Sequence, residues 1–381
     1  MRYFIGLVCV LALSIMGCGE TTGAGGSGGD GGVGGDGGSG GMTGQEFPCT
    51  EQGILEAIAE GGGPHTFDCD GAQTVVTEAE IVIDNDVILD GEGNLTVDGN
   101  EDHRVFSVPE VGLDPVTVEL HGFTVTRGRV AGEAGAGISN AGELTIVNSN
   151  VRDNVAESTP EPCGAACRLG VGGGISNGLE GTLTLTRSTV SGNTADYAGG
   201  IRGSGTMSTI TDSTVSGNTA VRAGGGGIAC ERSSITMTNS TVSGNTSGID
   251  EGGAIYLDQG ELTSTGSLIG GDCTGGVISG GYNIESPGDT CSFDEVTDLV
   301  DLNADDLNLG ELADNGGPTM THALLTVPVV SAAIDKIPTE GCVDSDGLPL
   351  TADQRGFTRP VAILGSEPRC DVGAFEVQGD E

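Results

Sequence analysis

An eight-residue segment recurs along this chain at almost constant intervals. STVSGNTA occupies residues 188–195 and again 213–220, and STVSGNTS follows at 240–247. Glycine-rich residues followed by an isoleucine precede the repeated segments. The intervals between successive isoleucines of this kind are 37, 26, 27 and 27 residues. The long step contains the insertion AESTPEPCGAACRLG, so the underlying period is 25 to 27 residues. A period of this length predicts a solenoid, in which each unit packs on its two neighbours.

The pattern within each unit indicates which solenoid forms. The segment GTLTLTRSTVSGN (181–193) alternates apolar and small polar residues, and no window carries apolar residues at helical spacing. Short strands rich in Thr, Val and Ile, broken by Gly and Asn, fit a coil of two or three strands. We therefore predict an all-β fold, a single-stranded right-handed parallel β-helix of about 26 residues per coil.

Equivalent residues of successive coils should lie one above another in such a helix. The predicted interior columns are Ile138, Ile175, Ile201, Ile228 and Ile255, and Val151, Val190, Val215 and Val242. At the following turn we predict an asparagine ladder of Asn154, Asn193, Asn218 and Asn245. Asparagine tolerates the left-handed backbone of a tight turn, and its side-chain amide can hydrogen-bond to the amide in the next coil.

The chain divides into five parts. Residues 1–17 carry an early arginine, an apolar run and a small residue before Cys18, which is typical of a signal peptide. The glycine-rich residues 18–45 predict a flexible tether. Residues 46–115 should form an N-terminal cap and the first coils, 116–275 the regular repeats, and 276–381 a terminal coil and C-terminal cap. The cap at the start should be a short helix with Thr50 as N-cap, apolar Ile54, Leu55 and Ile58, and an end at Gly61.

The end of the apolar run, IMGC, resembles the bacterial lipoprotein box. This resemblance implies cleavage before Cys18 and a diacylglyceryl thioether on that residue. The lipid would hold the protein at the bacterial outer membrane or cell surface, facing outward or into the periplasm. An ordinary secretory signal with a stray cysteine is the alternative.

Cysteine usage indicates an oxidising compartment. Nine cysteines remain besides Cys9 and Cys18. Pairing them by nearness in sequence leaves Cys230 over and gives the candidate disulfides Cys49–Cys69, Cys163–Cys167, Cys273–Cys291 and Cys342–Cys370. The spacing CGAAC could also suggest a metal site, but no histidine or second cysteine pair accompanies it. Connectivity itself does not follow from sequence.

Net charge restricts the partners. The chain has 55 acidic residues against 14 Lys and Arg, a formal charge of −41. Nucleic acid and anionic membrane surfaces are disfavoured as partners, because both bind through Lys and Arg. Solubility alone accounts for much of the negative charge. We expect membrane attachment through the N-terminal lipid and contacts with extracellular glycans or proteins.

Four C-terminal segments resemble the closing part of the choice-of-anchor Q family of bacterial surface proteins. They are DNGGPTMTHALL (314–325), SAAID (331–335), DQRGFTRP (353–360) and CDVGAFE (370–376). The GGAI and SGNT signatures also resemble the repeats of chlamydial-type polymorphic outer-membrane proteins. These resemblances imply a surface protein built on a pectin-lyase-like β-helix. An anchoring signal commonly follows GAFE in that family, whereas here five residues follow it, so the N-terminal lipid is the expected anchor.

The predicted fold also resembles that of pectate lyases, which pair Ca²⁺ on carboxylates with a basic residue, and of polygalacturonases, which use grouped aspartates. The residues that a lyase would have to use are Asp153, Asp196 or Asp212 with Arg187, Arg202 or Arg222. These arginines occupy variable places in the repeat, and the net charge would repel an anionic uronate. We predict a protein without catalytic activity; an envelope polysaccharide lyase or hydrolase is the alternative.

Other polar residues favour structural roles. His65, His103 and His121 stand alone, and His322 is expected to be a hydrogen-bonded cap residue. In DQRGFTRP the residues Asp353, Arg355 and Arg359 predict an ion-paired loop that fastens the last coil. DNDVILDGEGN and DLVDLNADDLN offer many oxygen ligands and could bind structural Ca²⁺ weakly, but neither has EF-hand spacing. We expect no cofactor and no metal site.

The predicted function is display. We expect a lipid-anchored, non-catalytic envelope protein whose elongated β-helix presents turn loops for adhesion or for binding glycans or proteins. The loop at 157–170 breaks the period and is the most distinctive candidate. With 4 Tyr, 8 Phe and no Trp, aromatic platforms for sugar stacking should be scarce.

Overall fold

The computed structural model describes residues 44–112, 114–160, 168–248, 252–363 and 367–379. The predicted signal peptide, the lipidation site Cys18, nearly all of the tether, and Cys163 and Cys167 lie outside the described residues. Within these ranges, no helix has both the length and the apolar character needed to cross a membrane.

Strands and turns form most of the folded chain. The first part consists of β1 (Glu46–Pro48), α1 (Glu51–Glu60), β2 (Gly62–Asp68), β3 (Gln73–Val76), β4 (Ile81–Val82), β5 (Val87–Asp98), β6 (Phe106–Val108) and β7 (Thr117–Thr126). The repeats consist of β8 (Arg129–Ala131), β9 (Ile138–Asn140), β10 (Glu143–Val147), β11 (Asn150–Arg152), β12 (Val155–Glu157), β13 (Ile175–Asn177), β14 (Thr182–Thr186), β15 (Thr189–Ser191), β16 (Thr194–Tyr197), β17 (Ile201–Gly203), β18 (Met207–Thr211), β19 (Thr214–Ser216), β20 (Thr219–Ala223), β21 (Ile228–Glu231), β22 (Ser234–Thr238), β23 (Thr241–Ser243), β24 (Thr246–Ser247), β25 (Ile255–Asp258), β26 (Glu261–Thr265), β27 (Leu268–Gly270) and β28 (Cys273–Thr274). The last part consists of β29 (Ile278–Ser279), β30 (Ile284–Glu285), α2 (Ala304–Leu307), β31 (Leu309–Ala313), β32 (Thr321–Leu324), β33 (Ile337–Pro338), a 3-10 turn (Thr339–Gly341) and β34 (Arg369–Cys370).

Each regular coil contributes to three parallel sheets. In one coil, β13 belongs to an eight-stranded sheet, β14 and β15 to a 17-stranded sheet, and β16 to a five-stranded sheet. Every one of these strands pairs in parallel with the equivalent strand of the next coil. The predicted parallel β-helix is therefore confirmed. A coil has one strand more than predicted, because a corner residue with positive φ, such as Arg187 (φ 48°) or Asp212 (φ 46°), divides its longest side.

The predicted interior columns are confirmed. Ile138, Ile175, Ile201, Ile228 and Ile255 are directly paired partners in successive coils, and all are buried. The valine column is formed in the same way by Val151, Val190, Val215 and Val242. Each such side chain contributes about 1.5–3 kcal/mol through burial of apolar surface. The recurring letters of the sequence thus reflect one packing position used in every coil.

The asparagine ladder is also confirmed. The ladder asparagines do not, however, have the left-handed backbone conformation that was predicted for them. The side-chain amide of Asn193 donates to Oδ1 of Asn218, and that of Asn218 donates to Oδ1 of Asn245, both at 2.9 Å. The left-handed residue of the turn is the one before the asparagine, as at Gly217 with φ 64°. The ladder explains the Gly-Gly-Ile motif as well, since a Cβ on Gly200 would lie 2.9 Å from Nδ2 of Asn218.

A second ladder, of serines, was not predicted. The backbone N–H of Ser188 donates to Oγ of Ser213, and that of Ser213 donates to Oγ of Ser240, at 3.1 and 3.2 Å. Ser149 and Ser267 extend the ladder by one coil at each end. The signal was the first letter of the repeated STVSGN, which places a buried hydroxyl at the corner of each coil.

The N-terminal cap and three disulfides agree with prediction. Oγ1 of Thr50 accepts from the N–H of Gly53 at 3.1 Å, and α1 ends before Gly61. Ile54 and Ile58 are buried, whereas Leu55 is 39% exposed and lies outside the buried face. The disulfides of the described residues are Cys49–Cys69, Cys273–Cys291 and Cys342–Cys370, and Cys230 is a buried free thiol.

The C-terminal segment does not fasten only the last coil, which corrects the prediction for DQRGFTRP. It runs back along the outside of the middle coils. Gln354 donates through Nε2 to Oγ1 of Thr189 at 2.9 Å and accepts at Oε1 from Thr214 at 2.6 Å. One coil further, Oγ1 of Thr241 accepts from the N–H of Ala374 at 3.0 Å. These three threonines occupy one column of the 17-stranded sheet, so the segment lies across three coils.

Candidate functional site

The three aspartates that a lyase would need occupy different places in the coil. Asp153 lies at the turn after β11, Asp196 in β16, and Asp212 at the corner between β18 and β19. Asp153 Oδ2 is 2.6 Å from Nη1 of Arg152, and Asp196 Oδ1 is 2.8 Å from Nε of Arg222. The structure therefore does not bring these three carboxylates together.

The three candidate arginines also lie at different positions of the coil. Arg202 forms an ion pair with Glu231 at 2.5 Å on the eight-stranded sheet, and Arg222 is held by Asp196. Arg187 occupies the corner before β15, one coil from Asp212, and its buried Nε has no hydrogen-bond partner in the described part of the chain. Of the six candidates, Asp196 and Arg222 thus form an ion pair, and Arg187 and Asp212 line one groove.

The buried guanidinium of Arg359 joins the C-terminal segment to the coils at Asp212. Its Nη1 is 3.2 Å from Oδ1 of Asp212, and its Nε donates to Oε2 of Glu376 at 3.0 Å. Its Nη2 donates to the carbonyl oxygens of Asp371 and Gly373. Arg359 is therefore one cation shared by two buried carboxylates that come from distant parts of the chain.

Burial dominates the titration of these carboxylates. Desolvation raises the pKa of Asp212 to about 7, although Arg359 acts in the opposite direction. Desolvation likewise raises the pKa of Glu376 to about 7 and that of Asp371 to about 6. The shared cation does not fully offset the cost of removing the carboxylates from water. These groups consequently keep protons at pH values where exposed carboxylates are fully ionised.

The predicted ion-paired loop is confirmed, and His322 is hydrogen-bonded as expected. Arg355 Nε donates to Oδ2 of Asp353 at 2.9 Å, and the guanidinium lies 3.6 Å from the ring centre of Phe375. His322 Nδ1 donates to the carbonyl of Gly310 at 2.7 Å, and its Nε2 is 2.8 Å from Oγ of Ser216. Burial lowers the pKa of His322. The contact of His322 with Ser216 holds the C-terminal segment on the coils, whereas the contacts of Arg355 lie within that segment.

A polar groove forms where this segment meets the 17-stranded sheet. Its volume is about 360 Å³, and one side consists of the coil residues Thr184, Thr186, Arg187, Thr209, Thr211 and Asp212. The other side is the segment 344–352, which we call the wall loop. Two contacts fix the chain just before the wall loop. The carbonyl of Val343 accepts from Nδ2 of Asn239 at 3.0 Å, and Cys342 forms the disulfide with Cys370. The wall loop is thus tied to both the coil and the C-terminal segment.

The threonines of the groove belong to two outward-facing columns. Thr184 pairs with Thr209, and Thr186 with Thr211, in directly adjacent strands. The columns continue through Thr236 and Thr263, and through Thr238 and Thr265. The sequence pattern TLTLT predicted alternation here, but the use of these hydroxyls was not predicted, because the wall loop is far away in sequence.

A second polar cavity, of about 540 Å³, lies near the described ends of the 157–170 loop and includes Glu157. Its arginines are all paired: Arg104 with Glu80 and Glu133, and Arg129 with Glu157. Among the described residues, no group of three or more His, Cys, Asp or Glu side chains is placed to hold a metal ion. In the groove beside the wall loop, by contrast, the buried Nε of Arg187 has no hydrogen-bond partner among the described residues.

Comparison with known proteins identifies the fold. A family model described as "Right handed beta helix region" matches residues 85–269. Among solved structures, the chain is similar to the crystal structure of pectate lyase Pel9A, with 13% identity, coverage of 89% of this chain and 98% of that chain, and a TM-score of 0.36. No curated protein matches the chain. The protein therefore has the right-handed β-helix fold that its repeats predict.

Proposed function

We propose that this chain is a lipid-anchored, non-catalytic envelope protein that binds glycans or proteins on the outer surface of its β-helix. The lipoprotein-like segment ending at Cys18 and the glycine-rich tether support an anchored location. Three disulfides between near neighbours in sequence support an oxidising compartment. The excess of acidic residues favours neutral or basic partners.

One observation carries the non-catalytic part of the proposal. Asp153, Asp196 and Asp212 occupy three different positions of the coil, and each is engaged by an arginine. Abstraction of a proton from a sugar requires a base within hydrogen-bond reach of one substrate position, with charge-stabilising groups around it. Side chains on separate sides of the coil do not supply that arrangement. Fold alone does not imply activity.

The test measures binding and cleavage in the same samples. The protein is incubated with acidic and neutral polysaccharides, with Ca²⁺ and with chelator, and both retention on the polymer and new chain ends are recorded. We expect retention on a glycan, or binding of a protein partner, without new ends. New ends that disappear in Asp153→Ala or Asp212→Ala would make the protein an enzyme. Asp153 is exposed, so its substitution separates loss of chemistry from loss of folding.

The anchor is tested separately. Cys18→Ser removes the thiol that would carry the lipid, so we expect the variant to leave the membrane fraction while its disulfides still form. Retention of this variant in the membrane fraction would contradict the lipid anchor.

A further inference from the structure

The groove beside the wall loop contains polar groups that the protein itself does not use. The hydroxyls of Thr184, Thr186, Thr209 and Thr211 have no hydrogen-bond partner among the described residues. By contrast, the inward-facing hydroxyls of Ser188 and Ser213 in the same coils are bonded to backbone carbonyls and amides. Arg187, in the same lining, has a buried Nε without a partner. The other guanidinium nitrogens of Arg187 also have no partner among the described residues, so this side chain can donate to a ligand in the groove.

We propose that this groove binds a neutral glycan, with the threonine hydroxyls and Arg187 as hydrogen-bonding groups. The inference rests on the proposed function and assigns it a site and a ligand class. Hydroxyls both donate and accept, guanidinium donates, and the carboxylates of Asp344 and Asp346 in the wall loop accept. Sugar hydroxyls also donate and accept, so they match this set of groups.

A peptide strand fits the groove less well. The backbone N–H and C=O groups of β14 and β18 already bond to neighbouring coils, so these strands offer no free edge for strand addition. The lining contains no aromatic residue, so an aromatic or helical anchor would find no ring to pack against. The available contacts are side-chain hydroxyls, which favours a polyhydroxylated ligand.

Charge favours a neutral glycan over a uronate. Asp212, Asp344 and Asp346 line the groove with Arg187 as the single cation. Arg359 binds Asp212 from behind. Asp346 is exposed, and Asp344 is half-buried with its Oδ1 accepting from the N–H groups of Asp346 and Leu348. An anionic polymer would bring its charges next to these carboxylates in a chain of net charge −41.

The repeat sets the spacing of the hydroxyls. Adjacent coils are about 4.8 Å apart, and alternate residues of a strand are about 6.6 Å apart. The four groove threonines therefore form a small rectangle that is comparable in size to a hexose ring with its hydroxyls. Because the columns continue through Thr236 and Thr263, further sugars of a chain lying along the helix axis would meet the same groups.

The test uses the full chain in nonionic detergent and beads that carry a neutral β-glucan, a neutral galactomannan, polygalacturonate or no glycan. The double variant Thr184→Val, Thr209→Val removes two hydroxyls and keeps the β-branched shape, and Arg187→Met removes the donors and keeps an apolar stem. Thr194→Val, on the five-stranded sheet, is the matched control. Thermal unfolding checks that every variant is folded.

We expect retention of the wild type on at least one neutral glycan. The apparent affinity should fall about tenfold in the double variant and about tenfold in Arg187→Met, because each lost hydrogen bond weakens binding several-fold. Thr194→Val should bind as the wild type does. Unchanged binding by both groove variants would overturn the site and leave the proposed function intact. Retention only on polygalacturonate, or on no glycan, would overturn the ligand class; cleavage of a glycan would overturn the proposed function.

Discussion

Replacing Arg359 by methionine tests whether one buried guanidinium holds the C-terminal segment on the coils. The side chain is almost fully buried at 1% exposure and bonds to carboxylates of Asp212 and Glu376. Removing one partner of a buried ion pair leaves an uncompensated charge, which costs about 3–5 kcal/mol. We expect this loss in the opening free energy of the C-terminal segment at pH 8.

The loss should be smaller in acid. Burial raises the pKa of Asp212 and of Glu376 to about 7. A carboxyl whose pKa is higher in the folded state stabilises that state fully below its unfolded pKa, near 4, and loses this contribution as the pH rises through 7. At pH 5 both carboxyls are protonated, so Arg359→Met forfeits hydrogen bonds rather than charge neutralisation. The expected loss is then about 1–3 kcal/mol.

Amide hydrogen exchange at pH 5 and pH 8, corrected for intrinsic rates, measures the opening free energy of peptides from residues 353–379. Arg152→Met is the control, because Arg152 and Asp153 form an ion pair in which the side chains are 41% and 54% exposed. That pair should contribute less than about 1 kcal/mol. An equal loss at both pH values in Arg359→Met, or a loss below about 1 kcal/mol at pH 8, would refute the reasoning.

Three further perturbations test the ladders and the groove. Asn218→Ala should cost about 3 kcal/mol in thermal unfolding, because it leaves the buried amide of Asn193 and the carbonyl of Val190 without their partner. Gly200→Ala should cost about 1–3 kcal/mol, because its Cβ would lie 2.5 Å from the carbonyl oxygen of Gly227. Gly276→Ala, with open space around it, should leave the melting temperature unchanged. Replacing Cys342 and Cys370 by alanine opens a loop closed over 28 residues and should destabilise the wall loop by about 3–4 kcal/mol, seen as faster exchange at residues 344–352. Equal exchange with and without this disulfide would contradict its role.

The repeated part of the fold was predictable because every coil meets the same two neighbours. Identical surroundings select identical residues, so the spacing of Val190, Val215 and Val242 alone gave the register. The serine ladder that includes Ser188 recurs in the same letters, but it was not predicted, because serine is also common in turns for local reasons. The four-strand coil was missed because a single corner residue, such as Arg187, leaves no strong signal in the alternation.

The course of the C-terminal segment was not predictable from the repeat. Its contacts with the coils join residues more than 100 positions apart, such as Thr214 with Gln354 and Asp212 with Arg359, and none of them recurs. DQRGFTRP was predicted to be ion-paired because its own charges are complementary, as with Asp353 and Arg355. Its partner on the coils is a single aspartate among 55 acidic residues, and no local pattern distinguishes that residue.

This difference explains why the candidate site lies where it does. Two columns of outward threonines that recur in four successive coils cannot by themselves define one binding position, because each of these coils offers the same hydroxyls. The wall loop breaks that equivalence, since it forms a groove beside Thr184 and Thr209 and adds Asp344 and Asp346 there. Arg187 then supplies a guanidinium that the corners before and after it, occupied by Asn148 and Asp212, do not repeat. A site specific to one place on a repetitive surface therefore requires the non-repetitive segment, and anything that detaches this segment, such as Arg359→Met at pH 8, should also weaken retention on a neutral glycan.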